Sequence, residues 1–131
     1  MSWEWELQVA IYTKLTADIT PLVYSDGGVP DNVESLYVVI GNDTAIEWDT
    51  DGSTGFESTV TIHTWDTGSS GSYKLCKELM GDIYDSLHRA NLTVTGYDVV
   101  GIDQELSESF IDADGLTRHG VQRFRIFARQ S

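Results

Sequence analysis

The sequence holds a single cysteine, Cys76, so neither an intrachain disulfide nor a thiolate metal cluster can form. Its longest apolar run, Leu36-Tyr37-Val38-Val39-Ile40, is far short of the ~20 residues that a membrane-spanning helix needs. The opening Met1-Ser2-Trp3-Glu4-Trp5-Glu6 is acidic and lacks the apolar stretch of a secretory signal, so a cytoplasm-like compartment is expected. Proline occurs only at Pro21 and Pro30, and there is no tandem repeat or long linker. Positive charge is scarce as well: 8 Lys and Arg stand against 21 Asp and Glu, a formal net charge of -13. A protein that grips nucleic-acid phosphates needs basic side chains to displace counterions, and docking on anionic lipid needs them too. The composition argues against both.

The 131 residues fit one domain, 1–131, large enough to bury a core without disulfides or metals. Residues 3–17 read as an amphipathic helix with Trp3, Leu7, Ala10, Ile11 and Leu15 on one stripe and Ser2 as its cap. Segment 18–35 is mostly loop, with Leu22-Val23-Tyr24 as a short strand. Leu36 to Asp49 reads as a strand bulged at Gly41-Asn42-Asp43, followed by the polar tip 49–55. Phe56 to Trp65 alternates: Phe56, Ser58, Val60, Ile62 and Thr64 face one way, and Glu57, Thr59, Thr61, His63 and Trp65 the other. A second helix runs from about Tyr73 to Ala90, ended by Asn91, with Cys76, Leu79, Met80, Ile83 and Leu87 as its buried stripe. An extended segment from Val94 to Ile111, the turn Asp112-Ala113-Asp114-Gly115 and a last strand Arg118–Arg129 complete the chain. The order helix, strand, strand, helix, strand, strand predicts an α+β fold: one mostly antiparallel sheet with a long hairpin and two helices packed on one face.

Catalytic and ligand motifs are sparse. Asp49-Thr50-Asp51-Gly52 and Asp112-Ala113-Asp114-Gly115 both lack the sixth-position glycine of a calcium loop, holding Thr54 and Thr117 there, and read as solvated turns. His63, His88 and His119 show no zinc spacing, and His88-Arg89 suits the negative end of a helix dipole. Gly68-Ser69-Ser70-Gly71-Ser72 lacks the lysine of a phosphate loop and reads as a linker into the second helix. Cys76 lies in an apolar stripe and reads as core. No catalytic, cofactor or metal residues are assigned, and no cofactor is implied. A small hydrolase using paired carboxylates, Asp49 with Asp51 or Asp112 with Asp114, is the competing enzymatic reading.

The charge map says more. Between Lys14 and Lys74 lie ten acids and no base, and between Arg89 and Arg118 six acids and no base. Half of the basic residues, Arg118, Arg123, Arg125 and Arg129, fall in the last fourteen positions. Arg123, Arg125 and Arg129 share one strand face, alongside Val121 and Phe127, and are the candidate subunit-interface residues. Two like charges so placed repel unless acids or solvent answer them, and neighbouring chains offer carboxylates. Arg118 and His119, beside the turn, are candidates for bracing the loop.

Tyr37-Val38-Val39-Ile40-Gly41, Thr59-Val60-Thr61-Ile62-His63-Thr64-Trp65, Ile83-Tyr84-Asp85-Ser86-Leu87-His88 and Asp114-Gly115-Leu116-Thr117-Arg118-His119-Gly120 occur in a recognisable order. With Ile11-Tyr12-Thr13-Lys14-Leu15-Thr16-Ala17-Asp18, this set resembles a family of phage and prophage tail completion, or tail terminator, proteins across about 7 to 128. The resemblance implies a structural, non-enzymatic virion protein of the tail or neck, present in the host cytoplasm during assembly. It further implies a homo-oligomeric, hexameric ring that caps the tail tube protein and joins it to the head-tail connector protein. A neck adaptor is the alternative within that class. In such a ring the genome passes through without tight binding, and Glu47, Asp49, Asp51 and Glu57 of the hairpin are the candidate channel lining. Trp3 and Trp5 lie outside the shared pattern, their role open between core packing and contact with a neighbour.

Overall fold

The computed structural model describes residues 2–25, 28–49, 52–68 and 72–131. Helix α1 spans Trp3–Asp18, strand β1 Val23–Ser25, β2 Leu36–Glu47, β3 Gly55–Asp66, helix α2 Lys74–Leu87, β4 Tyr97–Ile111 and β5 Arg118–Gln130. The strands form one five-stranded sheet in the order β1-β2-β3-β5-β4. Every pairing is antiparallel except that of β1, which runs parallel to β2 at Val23–Ser25. The fold is therefore the α+β class that the patterning predicts, with the short first strand shifted by one residue.

Both helices lie on one face of the sheet. The periodic positions of α1, Trp3, Leu7, Ala10, Ile11 and Leu15, are all buried, as are Cys76, Leu79, Met80, Ile83 and Leu87 of α2. They meet Val38 and Ile40 of β2, Val60 and Ile62 of β3, and Phe124, Ile126 and Ala128 of β5. Each large aliphatic side chain so buried is worth about 1.5–3 kcal/mol. Ser2 caps α1 by accepting from the Trp5 N–H. Trp3 is fixed more tightly: its ring stacks on Phe56 at 5.7 Å, and its indole N–H donates to the Ser58 hydroxyl at 2.6 Å. Ser86 of α2 donates to the Asp18 carboxylate at 2.7 Å, and Lys14 pairs with the same group. The bonds from Lys14 and Ser86 hold the Asp18 carboxyl below its usual pKa.

Two local features decide which side chains face which way. The register of β2 on β3 slips between Ile40 and Asp43, the bulge predicted at Gly41-Asn42-Asp43. Gly41 leaves room there for the His63 ring, which a Cβ would approach to 2.7 Å. The second helix ends earlier than its pattern suggests, at Leu87 rather than near Ala90. His88 turns extended, Arg89 takes φ 56°, and the Arg89 N–H donates to the Ile102 carbonyl at 2.7 Å. The His88 ring accepts from the Gln104 N–H at 3.0 Å and stacks on Tyr84. These two residues thus bond the edge strand β4, a bond to a distant strand that helical periodicity does not report.

Trp3 and Trp5 separate here: Trp3 is 2% exposed and Trp5 59%. Trp3→Ala should cost about 3–5 kcal/mol, whereas Trp5→Ala should stay within about 0.5 kcal/mol of wild type. Urea unfolding of the two variants at unchanged slope checks the difference.

Candidate assembly interface

The sheet face opposite the helices carries no helix layer. The uninterrupted pairing of β3 with β5 sets its pattern: Thr61 lies beside Arg123, Thr59 beside Arg125 and Glu57 beside Phe127. Arg123, Arg125 and Arg129 therefore share this open face. Their mutual repulsion is answered within the chain. Glu105 of β4 receives Arg123 at 2.7 Å and Arg125 at 2.9 Å, and Glu57 pairs with Arg125 at 3.3 Å. Neighbouring chains are not needed for these carboxylates: β4 supplies one because its register slips between Gln104 and Leu106, beside Glu105. Partial burial pushes the Glu105 carboxyl up, but the bonds from Arg125 and Arg123 outweigh it and hold the pKa down. Arg129 makes no ion pair among the described residues.

The two candidates for bracing the turn occupy different surroundings. Arg118 donates to the Leu116 carbonyl at 2.7 Å and lies over the Tyr73 ring at 5.3 Å. The turn is held by Asp114, which accepts from the Leu116 and Thr117 N–H groups and from the Thr117 hydroxyl. Those bonds lower its carboxyl pKa, with the Thr117 hydroxyl the strongest cause. Asp114 is thereby held ionised as the acceptor that closes the turn. His119 belongs to an aromatic group on the open face. It stacks on Trp65 at 3.7 Å, meets Phe110 edge-on at 4.8 Å and shares a 2.8 Å hydrogen bond with His63. Strand parity places His63 and Trp65 on this face, but which strand lies beside them is a matter of topology. Among the described residues no three His, Cys, Asp or Glu side chains gather as metal ligands.

The four hairpin acids are divided by the bulge. Glu47 pairs with Phe56 and so lies on the helix side, whereas Glu57 pairs with Ile46 on the open side and is tied to Arg125. Asp49 accepts from the Gly55 N–H at 3.2 Å near the hairpin end. Asp51 lies outside the described residues, as does most of the linker 68–72.

Burial lowers the His119 pKa, and His63 adds to that effect against a smaller opposing pull from Asp112. The folded protein thus favours the neutral ring, while the unfolded chain binds a proton near pH 6.5. Stability contributed by this group is complete above that pH and is lost as pH falls from there through the folded pKa. His119→Phe, which preserves the aromatic stack, should flatten this part of the stability–pH profile, measured by thermal melts between pH 7.5 and about 5.

No curated protein matches the sequence. A chain of the solved structure titled "Virion of native gene transfer agent (GTA) particle" is similar in fold, with a TM-score of 0.83 at 19% identity, covering 94% of this chain and 94% of that one. The family model described as tail completion protein gp17 matches residues 9–129. Running from the second turn of α1 almost to the end of β5, that match shows that the chain belongs to the tail completion protein gp17 family, structural components of the phage virion tail.

Proposed function

We propose that this protein assembles as a homo-oligomeric ring, hexameric by resemblance to its family, that closes the tail tube and joins it to the head-tail connector. The observation that carries this reading is the family match over 9–129. The surface supports it. A strongly acidic chain gathers three of its eight basic residues on one open sheet face, and a face left uncovered opposite the helix layer can meet an unlike surface head to tail rather than pair about a two-fold axis. Light scattering of the purified protein, alone and with tail tubes, should report closed hexamers or monomers that assemble on the tubes. A protein that stays monomeric in both cases would sink the proposal. Imaging would separate it from a neck adaptor by showing which ring touches the last tube layer.

Passage of the genome sets a second requirement. A basic lumen would retain DNA, because each phosphate contact adds affinity. An acidic wall repels it weakly, and salt screens that repulsion within about 10 Å at 0.1 M. With Glu57 committed to Arg125, Glu47 and Asp49 are the described ones of the four candidate acids left to line such a channel. The assembled ring should show no measurable affinity for duplex DNA at physiological salt in a gel-shift or anisotropy titration. A salt-sensitive micromolar complex would contradict the repulsive channel.

A further inference from the structure

The sheet ends at β4, and the outer edge of that strand is only half covered. Every second residue of an edge strand turns its N–H and C=O outward. At Ile102 and Gln104 those groups are met by the chain itself, through the Arg89 N–H and the His88 ring. Along 105–111 no described residue bonds the strand backbone from outside. Beneath this stretch α2 stands off from the strand and leaves an open groove of about 300 Å³. Gly81 and Tyr84 form its α2 wall, Gln104, Ser107 and Ser109 its β4 wall, and Gln122 of β5 its floor.

The fold itself does not account for two features of this groove. Gly81 lies in the interior of α2, where glycine disfavours a helix relative to alanine, yet a Cβ there would meet no atom within 4 Å beyond its own turns of helix. Glycine in such a place lets another backbone approach closely. The second feature is a pair of incompletely bonded amides. Gln122 is 1% exposed, and its nitrogen donates to the Met80 carbonyl and to Gln104 Oε1. Its own Oε1 is buried without a donor among the described residues. The Gln104 amide nitrogen, on the group bonded to Gln122, makes no hydrogen bond among them either.

We propose that this groove receives an extended, uncharged polar segment of a partner protein, which pairs with the outer edge of β4 at 105–111 and turns an amide side chain toward Gln104 and Gln122. The ring reading is not needed for it. Strand addition of this kind takes affinity from the backbone and specificity from the alternate side chains that enter the groove. The hydrogen bonding of the groove selects the side chain. Gln122 Oε1 needs a donor and the Gln104 N–H groups need an acceptor, and an amide supplies both. Charge favours neither sign, because the charged residues of the lining, Lys77 and Glu108, are opposite. It does select against a second copy of this chain. The edges that a copy could offer are β2 beyond its pairing with β1, carrying Asp43 and Glu47, and β4 itself, carrying Glu105 and Glu108. Either would bring further carboxylates to the edge that holds Glu108.

The test titrates the full-length protein with the capped heptapeptide Thr-Val-Thr-Gln-Thr-Val-Thr and follows backbone amide shifts by NMR. Shifts should cluster at 77–84 and 104–111. Replacing the central glutamine of the peptide by leucine should weaken binding about tenfold, through the lost amide pairing. Methylating alternate peptide nitrogens should abolish binding in one phase and spare it in the other, because a paired strand directs only every second N–H to its neighbour. Gly81→Leu, which fills the groove from the helix, should melt no lower than wild type and lose the peptide. Gln104→Leu should no longer distinguish the glutamine peptide from the leucine one. Absence of shifts at millimolar peptide would overturn the proposal, as would shifts elsewhere or equal binding of the two peptides to wild type. Tighter binding of a peptide with a central glutamate or lysine would overturn the uncharged segment. Amide exchange at 105–111 that slows as the protein alone is concentrated would overturn the choice of partner in favour of a second copy.

Discussion

Twelve consecutive residue pairs join β3 to β5, from Gly55 beside Arg129 to Asp66 beside Arg118, without a slip in register. The rest of the structure depends on this ladder. Because side chains alternate across a sheet, one fixed register settles the direction of every residue on both central strands. It sends Phe124, Ile126 and Ala128 under the helices together with Val60 and Ile62, and it sends Arg123, Arg125, His119, His63 and Trp65 to the other side. The irregularities are confined to the flanking strands, where β2 and β4 each slip against their central neighbour. Those slips place Gly41 under the His63 ring and Glu105 between two arginines.

The helix side is completed by polar atoms as well as apolar ones. Gln122, 1% exposed, donates to the Met80 carbonyl at 2.9 Å and to Gln104 at 2.8 Å, which ties α2 to both β5 and β4. Gly120 leaves room for Met80: a Cβ on it would stand 2.5 Å from the sulfur. Trp3 secures α1 in the same way, by one buried hydrogen bond and two ring contacts. Such bonds add little net energy each, but leaving their partners unsatisfied in the core would cost more, so they fix where each helix sits.

The two outer surfaces differ in kind. The open sheet face gathers arginine, aromatic rings and carboxylates, with Glu57 and Glu105 paired to Arg123 and Arg125 and Asp98 across from Arg129. The helix face keeps its acids and adds the Trp5, Val9 and Tyr12 stripe. Intrachain ion pairs surround Arg123 and Arg125. They relieve the like-charge repulsion between Arg123 and Arg125 within the chain.

Much of this was legible in the residues alone. Period-3.6 stripes identified both helices and their buried faces, period-2 alternation oriented β3 and β5, and Gly41-Asn42-Asp43 marked the bulge. These are local signals, set by which side chains water excludes. What the tertiary structure decided is who stands beside whom. Glu105 as the partner of Arg123 and Arg125, His63 beside His119, His88 bonded to β4, and Glu47 and Glu57 on opposite faces all depend on strand order and register. Strand order joins residues more than fifty positions apart, and one slipped residue reverses every side chain beyond it. Trp3 and Trp5 show the limit in one helix. The period assigned Trp3 to the core, but only the packed helix showed that Trp5 faces away from the protein's own core, because a helix rich in aromatics offers two apolar sides and the sheet can cover only one.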